Sequence, residues 1–285
     1  MEQENILISI IVASYNYGRY LRDNLNALKQ QTYKNIEVVI VDDGSTDNSM
    51  DIINEYVKSD SRFNIVTHLN HENKGLNESL KLALQNCHGE FVAFCESDDY
   101  WTENHVEEFV NYIKKYKDVD LLVCDFLPFG QNAKQVLHYT VDKGLLNLYK
   151  HLRRIRKPKN IFWETYLDSW VFPTFSIVMV KKTELEKCDF DAPQRCGTDI
   201  WLWRQLMLSA KTGYIDEKLT FFRRSGESLV VEDANCSSKL YFKKICQLIN
   251  KKVQETPLPF MFQPKKRKLY KKVKREVNKT ANEEI

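Results

Sequence analysis

Glu96-Ser97-Asp98-Asp99 puts three carboxylates within four residues, at the end of the apolar run Phe91-Val92-Ala93-Phe94-Cys95. Such a group repels itself at neutral pH, and a strand end tolerates it when a cation sits among the oxygens. A hard divalent ion, Mn2+ or Mg2+, takes oxygen ligands of this kind. A second acidic pair, Asp42-Asp43, follows the apolar run 36–41 and opens the turn Gly44-Ser45-Thr46-Asp47. The plainer reading of both is a helix start, with Ser45 and Thr46 capping one helix and acids lying in the first turn of another after Ser97.

The elements that must position these acids alternate. Residues 6–13 are a nearly continuous β-branched run, the pattern of a strand covered on both faces, and Ser14-Tyr15-Asn16-Tyr17-Gly18 breaks it. Leu21, Leu25 and Leu28 recur at helical spacing up to Gln30, and a second buried strand spans 36–41. Ile52, Ile53, Tyr56 and Val57 mark the next helix, with a strand at 63–69 after it. Gly75 opens a helix carrying Leu76, Leu80, Ala83 and Leu84, which His88-Gly89 stops before the strand 91–95. Val106, Phe109, Val110 and Ile113 mark another helix, and 119–126 a further strand. This order predicts an α/β domain: a mostly parallel, twisted sheet with helices on both faces, which binds ligands at the carboxyl ends of its strands. Both acidic loops lie at those ends. Neither Gly-x-Gly-x-x-Gly nor a P-loop occurs, so a glycine-rich phosphate cradle is not expected.

From 129 to 173 the alternation lapses into a basic and aromatic mixture, with Arg153-Arg154-Ile155-Arg156-Lys157 and Phe162-Trp163-Glu164, read as an insertion over the active face. A strand is expected at 176–180, a short helix at 182–187, a stronger helix from Asp199 through Ile200, Trp203, Leu206 and Met207, and a last strand at 219–223. At 285 residues and 43% hydrophobic content, the chain suits one large domain with an appendage. The expected division is 1–235, split into a nucleotide-binding half (1–126) and an acceptor half (127–235), then a helical, basic extension at 236–285. The net charge of +3 hides the basic density of 264–279, so any argument for an anionic partner concerns the tail. Seven cysteines without Cys-x-x-Cys spacing read as reduced thiols. No charged leader and no apolar run of membrane-span length is present, which predicts a cytoplasmic protein.

With these stretches in place, the chain resembles the family 2 glycosyltransferases of GT-A fold, nucleotide-sugar-dependent enzymes whose Rossmann-like half binds the donor. The resemblance rests on Ser9-Ile10-Ile11-Val12-Ala13-Ser14-Tyr15-Asn16, Gln31-Thr32-Tyr33, residues 37–47, Asn73-Lys74-Gly75, Gly89-Glu90-Phe91, Glu96-Ser97-Asp98-Asp99, and Thr198-Asp199 with 201–204. It covers residues 6–225. Any one motif is weak, but their order and spacing are specific.

The resemblance implies a role for each matching residue. Asp43 accepts a donor proton of the nucleobase, Asp42 orders its loop, Ser14 and Tyr15 contact the base, and Lys74 joins them. Glu96 stands where the family's metal motif has aspartate and takes a ribose or water-mediated contact, with Ser97 beside it. Asp98 binds the metal, with Asp99 as alternative or second ligand, so that the diphosphate leaves with its charge neutralised. Asp199 is the base that deprotonates the acceptor hydroxyl in an inverting displacement, although Thr198 replaces the usual Glu before it. One of Trp201 and Trp203 is expected in the core and the other as a sugar platform, and Arg204 is similar to a basic residue of that helix. Arg223 or Arg224, in Phe222-Arg223-Arg224-Ser225, pairs with phosphate, while Ser225 replaces a histidine found in relatives. His68, His71 and His88 have no metal spacing and read as surface or loop residues.

The implied activity is a metal-dependent inverting glycosyl transfer, of hexosyl type, from a nucleoside diphosphate sugar to a hydroxyl of a glycan or lipid-linked acceptor in bacterial surface polysaccharide (capsule, O-antigen) synthesis. Leu269, Tyr270, Val273 and Val277 recur at helical spacing among lysines and arginines, which suits either a helix on an anionic membrane surface or a solvated tail. Glu96, Thr198 and Ser225 depart from the family pattern and keep open an inactive nucleotide-sugar-binding or scaffold protein. An enzyme that forms the activated donor fits less well, because 14–18 is neither glycine-rich nor basic. No nucleic-acid-binding module accompanies the basic tail.

Overall fold

The run Ile-Ser-Ile-Ile-Val-Ala-Ser forms β1 (Ile8–Ser14) and is buried along almost its whole length. The reason is its place in the sheet, paired in parallel with β2 (Ile36–Asp42) on one side and β4 (Phe91–Phe94) on the other. The computed structural model describes residues 5–131, 152–153, 155, 157–161, 172–191 and 197–224. Within them α1 (Gly18–Lys29), α2 (Ser49–Ser59), α3 (Leu76–Gln85) and α4 (His105–Lys115) each bury the stripe their spacing predicts. On α1 the buried face also holds Asn24, a polar residue inside an apolar stripe.

With β3 (Phe63–Thr67), β5 (Tyr100–Trp101), β6 (Leu121–Phe129), β7 (Val178–Lys181) and β8 (Thr212–Arg223), the sheet has eight strands in the order β3-β2-β1-β4-β7-β6-β8-β5. The pairs β1 with β2, β1 with β4, β2 with β3 and β6 with β8 are parallel. β7 lies antiparallel between β4 and β6, and β5 is antiparallel to β8. The mostly parallel α/β sheet expected from the sequence is therefore present. The strand order reverses between β1 and β4, and the crevice outside the carboxyl ends of such a pair is where an open sheet takes its ligand. Ser14 and the Glu96 loop flank that crevice. A single apolar cluster runs from Ile6 to Phe222 through the sheet.

α5 (Lys182–Leu185) and α6 (Thr198–Leu206) follow β7. Two features differ from the sequence reading. β8 begins at Thr212, not near 219, because the exposed Asp216-Glu217-Lys218, which reads as a turn, bulges out of one strand: the partner of Cys124 is Ile215 and that of Asp125 is Lys218. β5 is two residues long and carries no periodic signal. Its Trp101 stacks on the buried ring of His105 at 3.8 Å and donates from Nε1 to the Ser176 carbonyl.

Most of the 129–173 insertion, including Phe162-Trp163-Glu164, lies outside the described residues. So do Ser225 and the 236–285 extension with its basic helix. Among the described residues, no helix is long and apolar enough to cross a membrane. Cys87, Cys95, Cys124 and Cys188 are free thiols.

Candidate active site

At the β1/β4 crevice lies a cavity of about 640 Å³, a size suited to a small ligand. Of the residues expected from the sequence, Ser14 and Tyr15 line it from the end of β1, Asp43 and Lys74 from one side, and Glu96, Ser97 and Asp98 from the other.

The first two loops are locked together. Asn16, at φ 56°, donates from its backbone N–H to Ser45 Oγ at 2.9 Å, and its Oδ1 accepts from the Thr46 N–H at 2.7 Å. Asp42 is fully buried and accepts from the Ser45 N–H at 2.9 Å. It orders the loop as expected but does not line the cavity, so its place among nucleotide-contacting residues is corrected. Asp43 accepts from the Lys74 N–H at 2.7 Å on one oxygen and from the Gly75 N–H at 2.8 Å on the other. Lys74 thus serves this loop through its backbone, while its ammonium pairs with Glu72. His68, in the loop after β3 as expected, places Nε2 3.5 Å from Asp43 and 3.1 Å from Ser79 Oγ.

The acidic loop is held from three elements. Asn24 on α1 donates from Nδ2 to the carbonyl oxygens of Glu96 and Asp99, each at 2.9 Å. The Glu96 N–H donates to Ser176 Oγ at 2.9 Å, and the Thr174 hydroxyl donates to the Glu96 carboxylate. From β8, the Arg223 N–H donates to Asp99 Oδ1 at 2.8 Å, and Thr174 Oγ1 lies 3.1 Å from Asp99 Oδ2. Asp99 is 1% exposed, accepts from the Arg223 N–H, and does not line the cavity. The structure therefore makes it an anchor of the loop, against the expectation of a second metal ligand. Arg223 is corrected too. Its Nε donates to the Asp98 carbonyl at 2.8 Å and its guanidinium lies 4.4 Å from the Tyr20 and Phe129 rings, so it supports the loop instead of reaching for phosphate. Arg224 also lies off the cavity lining. Its guanidinium sits 5.5 Å from the Phe222 ring, and its charge lowers Asp98.

Burial raises the carboxyls of Glu96, Asp98 and Asp99, and mutual repulsion adds to it at Glu96 and Asp99. At Asp98 the charges of Arg223, Arg224 and Arg19 work against the rise. Carboxyls crowded and desolvated in this way beside a cavity fit a divalent cation. Among the described residues no three ligand-type side chains converge as a ready cage.

α6 starts at Gly197, in the left-handed region at φ 84°. Asp199 in its first turn accepts from the Ile200 N–H at 2.7 Å, and burial pushes its carboxyl up to about 6. Its charge contributes to the rise at Glu96, which sets the two acids in one electrostatic environment. Thr198 Oγ1 donates to Asn77 Oδ1 at 2.6 Å, and Asn77 lines the cavity from the first turn of α3. The tryptophan platform is not found. Trp201 is 2% exposed and donates from Nε1 to the Asp189 carbonyl, while Trp203 is fully buried against Phe94, Phe172 and Phe175. Arg204 sits half-buried in the last turn of α6, away from the cavity lining.

Sequence reasoning missed Tyr17 and Asn77 as cavity residues. Burial first, then the charges of Asp98 and Glu96, push the Tyr17 phenol up to about 12, so it stays a hydrogen-bond donor beside the acids. The signal for Asn77 was its place two residues after Gly75, in the turn that starts α3 at the same sheet edge.

The family model described as "Glycosyl transferase family 2" matches residues 9–184. The chain is 26% identical to the glycosyltransferase GlyG of Streptococcus pneumoniae over 88% of its own length and 81% of that protein. It is 36% identical to TuaG of Bacillus subtilis, named as a putative teichuronic acid biosynthesis glycosyltransferase, over 83% and 86%. Two further glycosyltransferase relatives are longer, the chain spanning 30% and 40% of their length. In fold it is similar to S. aureus TarS solved with UDP-GlcNAc, at a TM-score of 0.65 and 20% identity over 94% of this chain and 71% of that one. A Pyrobaculum calidifontis mannosyltransferase solved with GDP-Man and Mn2+ gives 0.57 and 16% over 96% and 73%.

Proposed function

The chain belongs to the family 2 glycosyltransferases, and we propose that it is a metal-dependent, inverting enzyme moving a sugar from a nucleoside diphosphate donor to a hydroxyl of a glycan or lipid-linked acceptor. The observation that carries the reading is that Asp43 and Asp98 both line one crevice, while Asp199 lies outside that lining. Asp43 and Asp98 line opposite sides of the cavity, and Asp199 shares the electrostatic environment of Glu96.

In this reading the base end of the donor lies between Tyr15 and Asp43, whose oxygens keep lone pairs beyond those taken by Lys74 and Gly75. The diphosphate lies along Ser97 and Asp98, with Glu96 at the ribose or an intervening water. Asp98 would hold a divalent ion, which would supply positive charge for the departing diphosphate. Asp199 takes the proton from the acceptor hydroxyl as that oxygen bonds to the anomeric carbon. The bond from the anomeric carbon to the phosphate oxygen breaks, and the electron pair leaves with the nucleoside diphosphate. A carboxyl near 6 is matched to a base working at neutral pH. Teichuronic acid synthesis in the name of TuaG, and UDP-GlcNAc in TarS, support a nucleotide-sugar donor and a surface polymer as acceptor. Binding of the basic extension to an anionic membrane surface belongs to the same reading.

The test is a thermal-shift screen of UDP- and GDP-sugars with and without Mn2+, followed by transfer assays of Asp98→Ala and Asp199→Asn. Metal-dependent stabilisation by a donor and loss of transfer in both variants are expected. Full activity of both would overturn the reading.

A further inference from the structure

Asp199 stands in the first turn of a nine-residue helix, and two different contacts hold that helix at its two ends. Further along α6, Trp203 is packed among Phe94, Phe172 and Phe175, and Gln205 donates from Nε2 to the Asp189 carbonyl at 2.8 Å while its Oε1 accepts from the Asp189 N–H at 2.8 Å. At its start, Gly197, in the left-handed region at φ 84°, offers no side chain to cap the helix. There the Thr198 hydroxyl donates to Asn77 Oδ1 at 2.6 Å, across 121 residues of sequence. Thr198 is 2% exposed, so the donor side of this bond is buried, while Asn77 lines the cavity.

Asn77 itself is fixed. It lies in the first turn of α3, whose entry through Lys74 and Gly75 is bound by both oxygens of Asp43. A chain of direct contacts thus runs from the Asp43 carboxylate, through the start of α3, across the hydroxyl to the residue that precedes Asp199. Each link lies at the cavity wall or next to it.

We propose that Asn77 is a positioning residue which, by accepting the Thr198 hydroxyl, sets the first turn of α6 and hence the Asp199 carboxylate against the donor cavity. The inference rests on Asp199 being the base. It explains how Thr198 serves here without a carboxylate at that place: a short hydrogen bond to the first turn of α3 replaces orientation by charge. A misplacement of the base by a fraction of an ångström lowers the rate without weakening donor binding, because the donor contacts lie on other elements.

The experiment compares Asn77→Ala, Thr198→Val and Thr198→Ser in the full chain. Two readouts are taken: amide hydrogen exchange over 198–206, and release of nucleoside diphosphate from UDP-glucose, UDP-galactose, UDP-GlcNAc and GDP-mannose with Mn2+. Asn77→Ala and Thr198→Val should each speed exchange in the first turn of α6 but not in its last, and lower kcat about tenfold with donor KM changed less than about twofold. Their double variant should be no worse than either single one, since both remove one interaction. Thr198→Ser, which keeps the hydroxyl, should behave as the unaltered protein. Unchanged exchange in the first turn, additive losses, or a Thr198→Ser variant as poor as Thr198→Val would overturn the proposal. Asp199→Asn separates the two readings. If it keeps full turnover, the base assignment itself falls, whereas its loss together with a normal Thr198→Val removes only the positioning role.

Discussion

Arg223 grips the acidic loop by its backbone: Nε donates to the Asp98 carbonyl oxygen at 2.8 Å, and the Arg223 N–H donates to Asp99 Oδ1 at the same distance. The last residue of β8 is thereby tied to the loop after β4, although the two are not neighbouring strands. The guanidinium lies over the rings of Tyr20 and Phe129, each 4.4 Å from its central carbon, and an ammonium makes such contacts less well.

Arg223→Ala and Arg223→Lys should therefore both loosen the loop. A loss of about 1–3 kcal/mol in urea unfolding is expected for the alanine variant, from the missing bond to Asp98 and the lost stacking. Lysine should recover less than half of it. If Arg223 instead served the donor phosphates, the variants would keep their stability and lose only donor affinity.

Asp98 and Asp99 are adjacent and chemically identical, yet the structure gives them separate duties. Asp98→Asn should abolish the Mn2+-dependent part of the thermal shift produced by UDP while leaving the melting temperature of the free protein within a few degrees. Asp99→Asn should do the reverse, because an amide offers one acceptor oxygen where the carboxylate offers two, one to the Arg223 N–H and one 3.1 Å from Thr174 Oγ1. Calorimetry of both variants with and without UDP and Mn2+ reads the difference. Equal loss of metal response in the two would show Asp99 to be a ligand after all.

This division marks where sequence reading ends. The period of apolar residues set out the strands and helices, and the placement of Asp43 and Asp98 on facing loops followed from the alternation of the first 126 residues. The direction in which Asp99 turns depends on Thr174 and Arg223, 75 and 124 residues further on, and no local pattern carries that. The tryptophans fail for a related reason. Trp201 and Trp203 are two residues apart and so lie on nearly opposite sides of α6, which suggested one exposed face. The helix is covered on both, by the Asp189 segment and by the phenylalanines of the core. The first half of β8 was hidden by the charges of its own bulge.

Asn24 was likewise hidden, reading as one more polar residue of α1, although it is fully buried and spans the whole acidic loop. Asn24→Leu should strip the Glu96 and Asp99 carbonyls of their donor, at about 1–3 kcal/mol for each oxygen left bare. The same variant should raise the Mn2+ concentration needed for half-maximal donor binding, since the loop that presents Asp98 loses its inner support. Stability and Mn2+ titration measured together check this, and a variant as stable as the unaltered protein would count against the clamp.

Asp199 ties activity and stability to pH in opposite senses. Its carboxyl is pushed up to about 6 by burial, so the base form fills as pH rises through that value, and kcat should climb from pH 5 to pH 7 with a midpoint near 6. The folded state holds the proton more tightly than the unfolded chain does. The stabilising contribution of this group is therefore complete below the ordinary aspartate range and is lost as pH rises through about 6. At pH 8 the protein carries a buried charge that the unfolded chain would solvate. Asp199→Asn keeps the shape and the acceptor for the Ile200 N–H but removes that charge. It should be inactive at every pH and more stable than the unaltered protein at pH 8, by about 3 kcal/mol at most, with the gap closing below pH 4. Denaturant titrations of the two proteins at pH 4, 6 and 8 measure the gap directly. A variant less stable at pH 8 than at pH 4, relative to the unaltered protein, would mean that Asp199 is paired with a cation and is not the raised, solitary carboxyl that a base at neutral pH requires.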